Sequence, residues 1–198
     1  MPVFISDIYE AKISYLPQNF QSAEIAKIMF DQIVNKEDLL QKISNQSFSV
    51  DYFDKYNQSE FSMRLLLQFV NSIREIGKIK IDDFTIHLAD FDFQRNYETP
   101  NYIIHNYRSI EDYGEDLEKL SEEYDYEIYI KKEEKLPHYR YFEFKNDMSS
   151  FIIRIDGGIA HGLKPVQFLK SIEMPLDNFN FEIKKDVAHD LIYTISFG

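Results

Sequence analysis

Between Ser59 and Gly77 the apolar side chains almost encircle a helix. Met63, Leu66, Leu67, Val70 and Ile73 recur at helical spacing, and Leu65, Phe69 and Ile76 widen their stripe. A helix that is apolar over so much of its circumference is stable only when other elements enclose it. Ser59 is placed to cap its start, and Gly77 stands where a C-terminal cap belongs.

The enclosing elements are legible on either side. Tyr9, Ala11, Ile13 and Tyr15 alternate, which predicts a strand over residues 3–15 that ends before Pro17. Ile25, Ile28, Met29 and Ile33 predict a helix capped by Ser22, continuing or restarting near Lys36 through Leu40 and Ile43. Phe48, Val50 and Tyr52 predict a short strand, and Ile79 to Leu88 another. Residues 92–107 are irregular and aromatic, with Pro100 among them. Ser109 and Asp112 resemble a capping pair, followed by the stripe Ile110, Tyr113, Leu117, Leu120 and Tyr124. Strands are expected at 126–130, 139–144, 151–155, 179–183 and 191–197, with a short helix over 166–172 started by Pro165.

Interleaved helices and strands followed by mostly strands predict an α+β fold with a largely antiparallel sheet, two to four helices and a β-rich C-terminal half. Length fits one domain over residues 1–198, with a break between lobes at 92–107 as the alternative.

The chain has no cysteine, which excludes disulfides and thiolate metal sites. No basic-then-apolar leader opens the sequence, and no apolar run reaches the roughly 18 residues of a membrane span, so a cytoplasmic address is expected. Its 34 acids against 22 Lys and Arg give a net charge of −12. Such a field repels phosphate and anionic lipid, so the charge argues for a basic protein partner and against nucleic acid or membrane.

The acids are densest on the helix after Ser109. Glu111, Asp112, Glu115, Asp116, Glu118, Glu122 and Glu123 lie there with Lys119 as the one base. Pairs four residues apart, such as Glu111/Glu115 and Glu118/Glu122, repel by a few tenths of a kcal/mol, roughly. The face reads either as a solvated surface or as a dock for a basic surface.

A second feature is Ile155-Asp156-Gly157-Gly158-Ile159-Ala160-His161-Gly162-Leu163-Lys164-Pro165. Its glycines suit a sharp turn leaving a strand, and Asp156, His161 and Lys164 offer a small-ligand loop. It matches neither the phosphate-loop nor the dinucleotide glycine spacing. A third is Glu143-Phe144-Lys145 on a strand, with Asp125 upstream. This Glu-x-Lys resembles the metal-binding core of the PD-(D/E)xK nucleases, in which carboxylates hold Mg²⁺ and the lysine steadies a water. The resemblance covers these few residues, and the proline-aspartate element before them is missing. Asp90 and Asp92 stand near His87, offering a carboxylate–histidine cluster, while no His pair has metal-protease spacing.

Taken together, charge and the lack of a catalytic motif predict a non-enzymatic, cofactor-free acidic protein that neutralises a basic partner, of the toxin-immunity or phage anti-defence type. A metal-dependent nuclease using Asp125, Glu143 and Lys145, and a ligand protein built on Asp156–Lys164, are the alternatives.

Overall fold

The computed structural model describes residues 7–13, 20–21, 24–55, 57–90, 107–155, 163–165, 180–183 and 191–197. The strands are β1 (Ile8–Ile13), β2 (Phe20–Gln21), β3 (Ser47–Phe53), β4 (Lys80–Leu88), β5 (Glu127–Lys132), β6 (Arg140–Lys145), β7 (Ser150–Ile155), β8 (Leu163–Pro165), β9 (Asn180–Ile183) and β10 (Leu191–Phe197). The helices are α1 (Glu24–Asp31), α2 (Lys36–Ile43), α3 (Glu60–Gly77) and α4 (Ile110–Ser121).

A seven-stranded sheet runs in the order β1-β10-β7-β6-β3-β4-β5, and β2-β9-β8 form a second, small sheet. The fold is α+β with a mostly antiparallel sheet, as the alternation of elements predicts. The exception has a cause in connectivity. β3, β4 and β5 are parallel, because α3 and α4 carry the chain back along the sheet between them. β3 is the strand at which the sheet changes sense, since its other neighbour, β6, is antiparallel.

Alternation assigns the two faces. Phe48, Val50 and Tyr52 of β3, Phe84 and Ile86 of β4, Phe142 and Phe144 of β6, and Phe151 and Ile153 of β7 are buried toward the helices. Phe69 of α3 rests on Phe142, ring centroids 5.2 Å apart. As its stripe demands, α3 is enclosed: Met63, Leu65, Leu66, Leu67, Phe69, Val70 and Ile73 are all fully buried. Ser59 caps it, accepting from the backbone N–H of Ser62, whose hydroxyl in turn accepts from the backbone N–H of Ser59.

Two local expectations are corrected, and an open choice is decided. Gly77 is helical, and the left-handed residue that ends α3 is Lys78, with φ 50°. Of the continuing or restarting helix expected after α1, the chain takes the second: α2 restarts at Lys36, because Asn35 has a left-handed φ of 62° between them. Pro165 ends the strand β8, paired with Phe181 of β9, where the sequence suggested the first turn of a helix. The expected helix at 166–172 and all of the irregular stretch at 92–107 except Tyr107 lie outside the described residues. Among the described residues no helix is long and apolar enough to cross a membrane.

Candidate functional site

The face of the large sheet opposite the helices carries polar and aromatic side chains. Its register places Lys131 of β5, His87 of β4, Phe53 of β3, Tyr141 of β6 and Arg154 of β7 side by side in one rung. Each is an outward position of its strand, so all five project from the same face. The rings stack. Phe53 lies on His87 at 4.1 Å and on Tyr141 at 4.5 Å, with the planes 15° and 16° from parallel. Tyr139 extends the stack at 5.4 Å from Tyr141, and the Arg154 guanidinium sits 5.0 Å from the Tyr139 ring centre.

Beside this stack lies an ionic cluster. His87 is buried, with Nε2 2.7 Å from Asp51 Oδ1 and Nδ1 2.8 Å from Glu133 Oε1. Lys145 donates to the other Asp51 oxygen at 2.6 Å, and Lys131 pairs with Glu133 at 3.0 Å. Burial pushes the Asp51 carboxyl up, but the bonds from Lys145 and His87 outweigh it and hold it below the usual value. The Glu133 carboxyl is lowered by its contacts with His87 and Lys131, and the Lys145 ammonium is raised by its bond to Asp51. The cluster joins β3, β4, β6 and the chain leaving β5.

The same end of the molecule collects cations. β3, β4 and β5 finish there, β6 begins there and β7 finishes there, bringing together Lys131, Lys132, Arg140 and Arg154. Arg108, just before α4, joins them across a cleft of about 360 Å³ that Ile110, Ile130 and Lys132 also line. Lys132 reaches Asp90 across it at 2.6 Å. Beneath, Asp54 is buried and accepts from the Tyr52 hydroxyl at 2.7 Å and from Arg140 Nε at 3.4 Å.

The residues singled out in the sequence are distributed differently. Glu143 and Lys145 do project together from β6, but Asp125 pairs with Arg74 of α3, and Lys145 is engaged by Asp51. Asp90 bonds Lys132 and not His87. Among the described residues no group of three His, Asp or Glu side chains could hold a metal. On α4, Glu111, Asp112, Glu115 and Glu118 are exposed, whereas Asp116 is half-buried and accepts from the Tyr107 hydroxyl at 3.1 Å. The helix ends at Ser121, so Glu122 and Glu123 lie past its last turn. Asp156, Gly157, Gly158, His161 and Gly162 fall outside the described residues, and Lys164 stands in β8 opposite Glu182.

Residues 18–191 match the family described as DEAD/DEAH box helicase YjiV, C-terminal domain. The chain belongs to this family. No curated protein matches it. Membership among the YjiV C-terminal domains overturns the expectation of a toxin-immunity or phage anti-defence inhibitor that neutralises a basic partner, and with it the exclusion of nucleic acid. The physical fault lay in using net charge as a proxy for a surface. The sum of −12 averages over the molecule and does not report that Lys131, Lys132, Arg140 and Arg154 of this YjiV-type domain stand together at one end of its sheet. Sequence reasoning found His87 but missed Asp51, Phe53, Glu133, Tyr141 and Arg154 beside it. Period-two alternation marks these last as outward positions or loop residues, and only strand register brings them together.

Proposed function

We propose that this chain is a non-motor module of a DEAD/DEAH-box helicase system, associated with nucleic acid, and that it works through the end of the sheet where β3, β4 and β5 finish. The family match over residues 18–191 carries the reading. A motor of its own is not supported, since the sequence lacks the glycine-lysine spacing that cradles nucleotide phosphates. Arg108, Lys131, Lys132 and Arg154 stand at this end of the sheet, Lys131 paired with Glu133 and Lys132 with Asp90.

The test has two arms. Ultraviolet crosslinking of the purified chain to a mixed pool of single-stranded and duplex DNA and RNA should yield covalent adducts. ATP turnover by the chain, with or without that pool, should stay at background. Absence of every adduct removes the nucleic-acid role, and ATP hydrolysis that tracks the protein removes the non-motor role.

A further inference from the structure

One edge of the large sheet is β5. Among the described residues it pairs with β4 on one side and with no strand on the other. The Glu133 N–H donates to the Leu88 carbonyl at 2.8 Å, so this residue turns its amide toward β4. Backbone groups alternate in direction along a strand. Glu127, Tyr129 and Lys131 therefore turn theirs toward β4 as well, and Ile128, Ile130 and Lys132 turn theirs to the open edge. A row of unpaired edge groups is a template for another strand.

The side chains of β5 are self-complementary about Tyr129. When two copies of β5 pair antiparallel about a two-fold axis at that residue, Glu127 stands opposite Lys131 of the second copy, Ile128 opposite Ile130, and Tyr129 opposite its own equivalent. Directly opposite residues share a face, so the opposite charges and the tyrosines meet on the open face, and the isoleucines meet on the helix side. Ile128 and Ile130 are also the residues whose backbone groups point outward, and they exchange the hydrogen bonds. The tyrosines then form the closer, non-hydrogen-bonded kind of pair. The groups are available: Tyr129 is 49% exposed, Glu127 and Lys131 are exposed, and Ile128 and Ile130 are half-buried. Shifting the register by one step sets Glu127 against Tyr129 in one direction and against Glu133 in the other. In the first case Lys131 meets Asp125, which Arg74 already holds. We propose that β5 is the docking edge for a second copy of this chain, which joins the two large sheets across the Glu127–Lys131 register.

The charge of the whole molecule opposes the encounter. Each copy carries −12, and Glu111, Glu115 and Glu118 of α4 are exposed. The dimer is therefore weak and forms best at about 0.15 M salt or above, where distant charges are screened.

Sedimentation velocity of the full chain under those conditions should show a monomer–dimer equilibrium that shifts with concentration. Glu127→Lys and Lys131→Glu each set like charges opposite one another and should weaken the dimer roughly tenfold, while the double reversal should restore it. Thermal melting checks that the variants fold. Glu127 lies outside the cluster around His87, so Glu127→Lys carries the test where Lys131→Glu disturbs that cluster. A second measurement locates the axis. The chain has no cysteine, so Tyr129→Cys introduces one thiol per copy, and the two stand opposite each other at a Cα separation of about 4.5 Å, within disulfide reach. Mild oxidation with diamide should give a covalent dimer. Glu127→Cys, whose equivalents stand roughly 13 Å apart, should not. A chain that stays monomeric at every concentration overturns the inference. A dimer that folded Glu127→Lys leaves unchanged overturns it too, as does crosslinking through Glu127→Cys as ready as through Tyr129→Cys. The pairing does not depend on the nucleic-acid reading, and none of these outcomes alters it.

Discussion

Phe53 lies flat against His87, ring centroids 4.1 Å apart and planes 15° from parallel, and this contact spans the parallel pair β3/β4. On its other side Phe53 covers Tyr141 across the antiparallel pair β3/β6. One side chain thus joins the two halves of a sheet that changes sense at its own strand. Phe53→Ala removes both stacked faces from a half-buried position, and we expect a loss of about 2 kcal/mol. Urea unfolding should show a lower midpoint with an unchanged slope; a midpoint equal to the parent's would show that the stack carries no stability.

The carboxylates around His87 give stability a defined pH dependence. Asp51 and Glu133 are held below their ordinary values in the folded chain. Their contribution is therefore complete above the unfolded values, about 3.9 for Asp and 4.3 for Glu, and is lost as pH falls through the lower folded values. Lys145 has the opposite sign: raised by Asp51, it contributes below about 10.4, and that contribution disappears as pH rises through its folded value. Urea midpoints measured from pH 6 down to 2.5 should decline, and Asp51→Asn should flatten part of that decline. An equally steep acid limb in Asp51→Asn would show that the proton is taken up elsewhere.

Most of the elements were legible because they rest on local chemistry. The alternation of Phe48, Val50 and Tyr52, and the stripe from Met63 to Ile73, fix which side of each element is buried before any partner is known. The parallel arrangement of β3, β4 and β5 was less accessible, since it depends on where α3 and α4 return the chain. The site was least accessible. Phe53 and Tyr141 are 88 positions apart and adjacent only through register, which no periodicity reports. Charge misled for a related reason: composition counts acids without saying which are already paired. Asp51 is engaged by Lys145 and His87, and Asp125 by Arg74.

Inside α3, Arg64 Nε donates to Glu60 Oε1 at 2.9 Å, with the side chains 0% and 4% exposed. Removing one member of a buried ion pair costs up to about 3–5 kcal/mol, less where the remaining charge keeps another partner. Glu60→Leu should therefore destabilise strongly, while the double variant Glu60→Leu, Arg64→Met should recover part of the loss. A double-mutant cycle by chemical unfolding measures the coupling. Additive losses in that cycle would mean that the two groups do not depend on each other.

The end of α3 yields the last prediction. Lys78 is left-handed, with φ 50° and ψ 42°, its N–H bonds the Glu75 carbonyl at 3.3 Å, and the Ile79 N–H bonds the Arg74 carbonyl at 3.1 Å. That pair of bonds is the Schellman arrangement, and its left-handed position normally holds glycine, which has no Cβ to clash there. In this chain glycine stands one residue earlier, for a steric reason. A Cβ on Gly77 would come within 3.1 Å of Ile43 Cδ1 and 3.3 Å of Ile79 Cγ2, and Ile43 is fully buried. The two positions should therefore respond with opposite signs. Lys78→Gly relieves a left-handed strain of about 1–2 kcal/mol, partly offset by the freer unfolded chain, for a net gain of about 0.5–1 kcal/mol. Gly77→Ala improves helix propensity by about 1 kcal/mol, yet forces Ile43 against the packed core, and we expect a net loss. Thermal and urea unfolding of the two variants should move in opposite directions; stabilisation by Gly77→Ala would show that the contact with Ile43 yields at little cost.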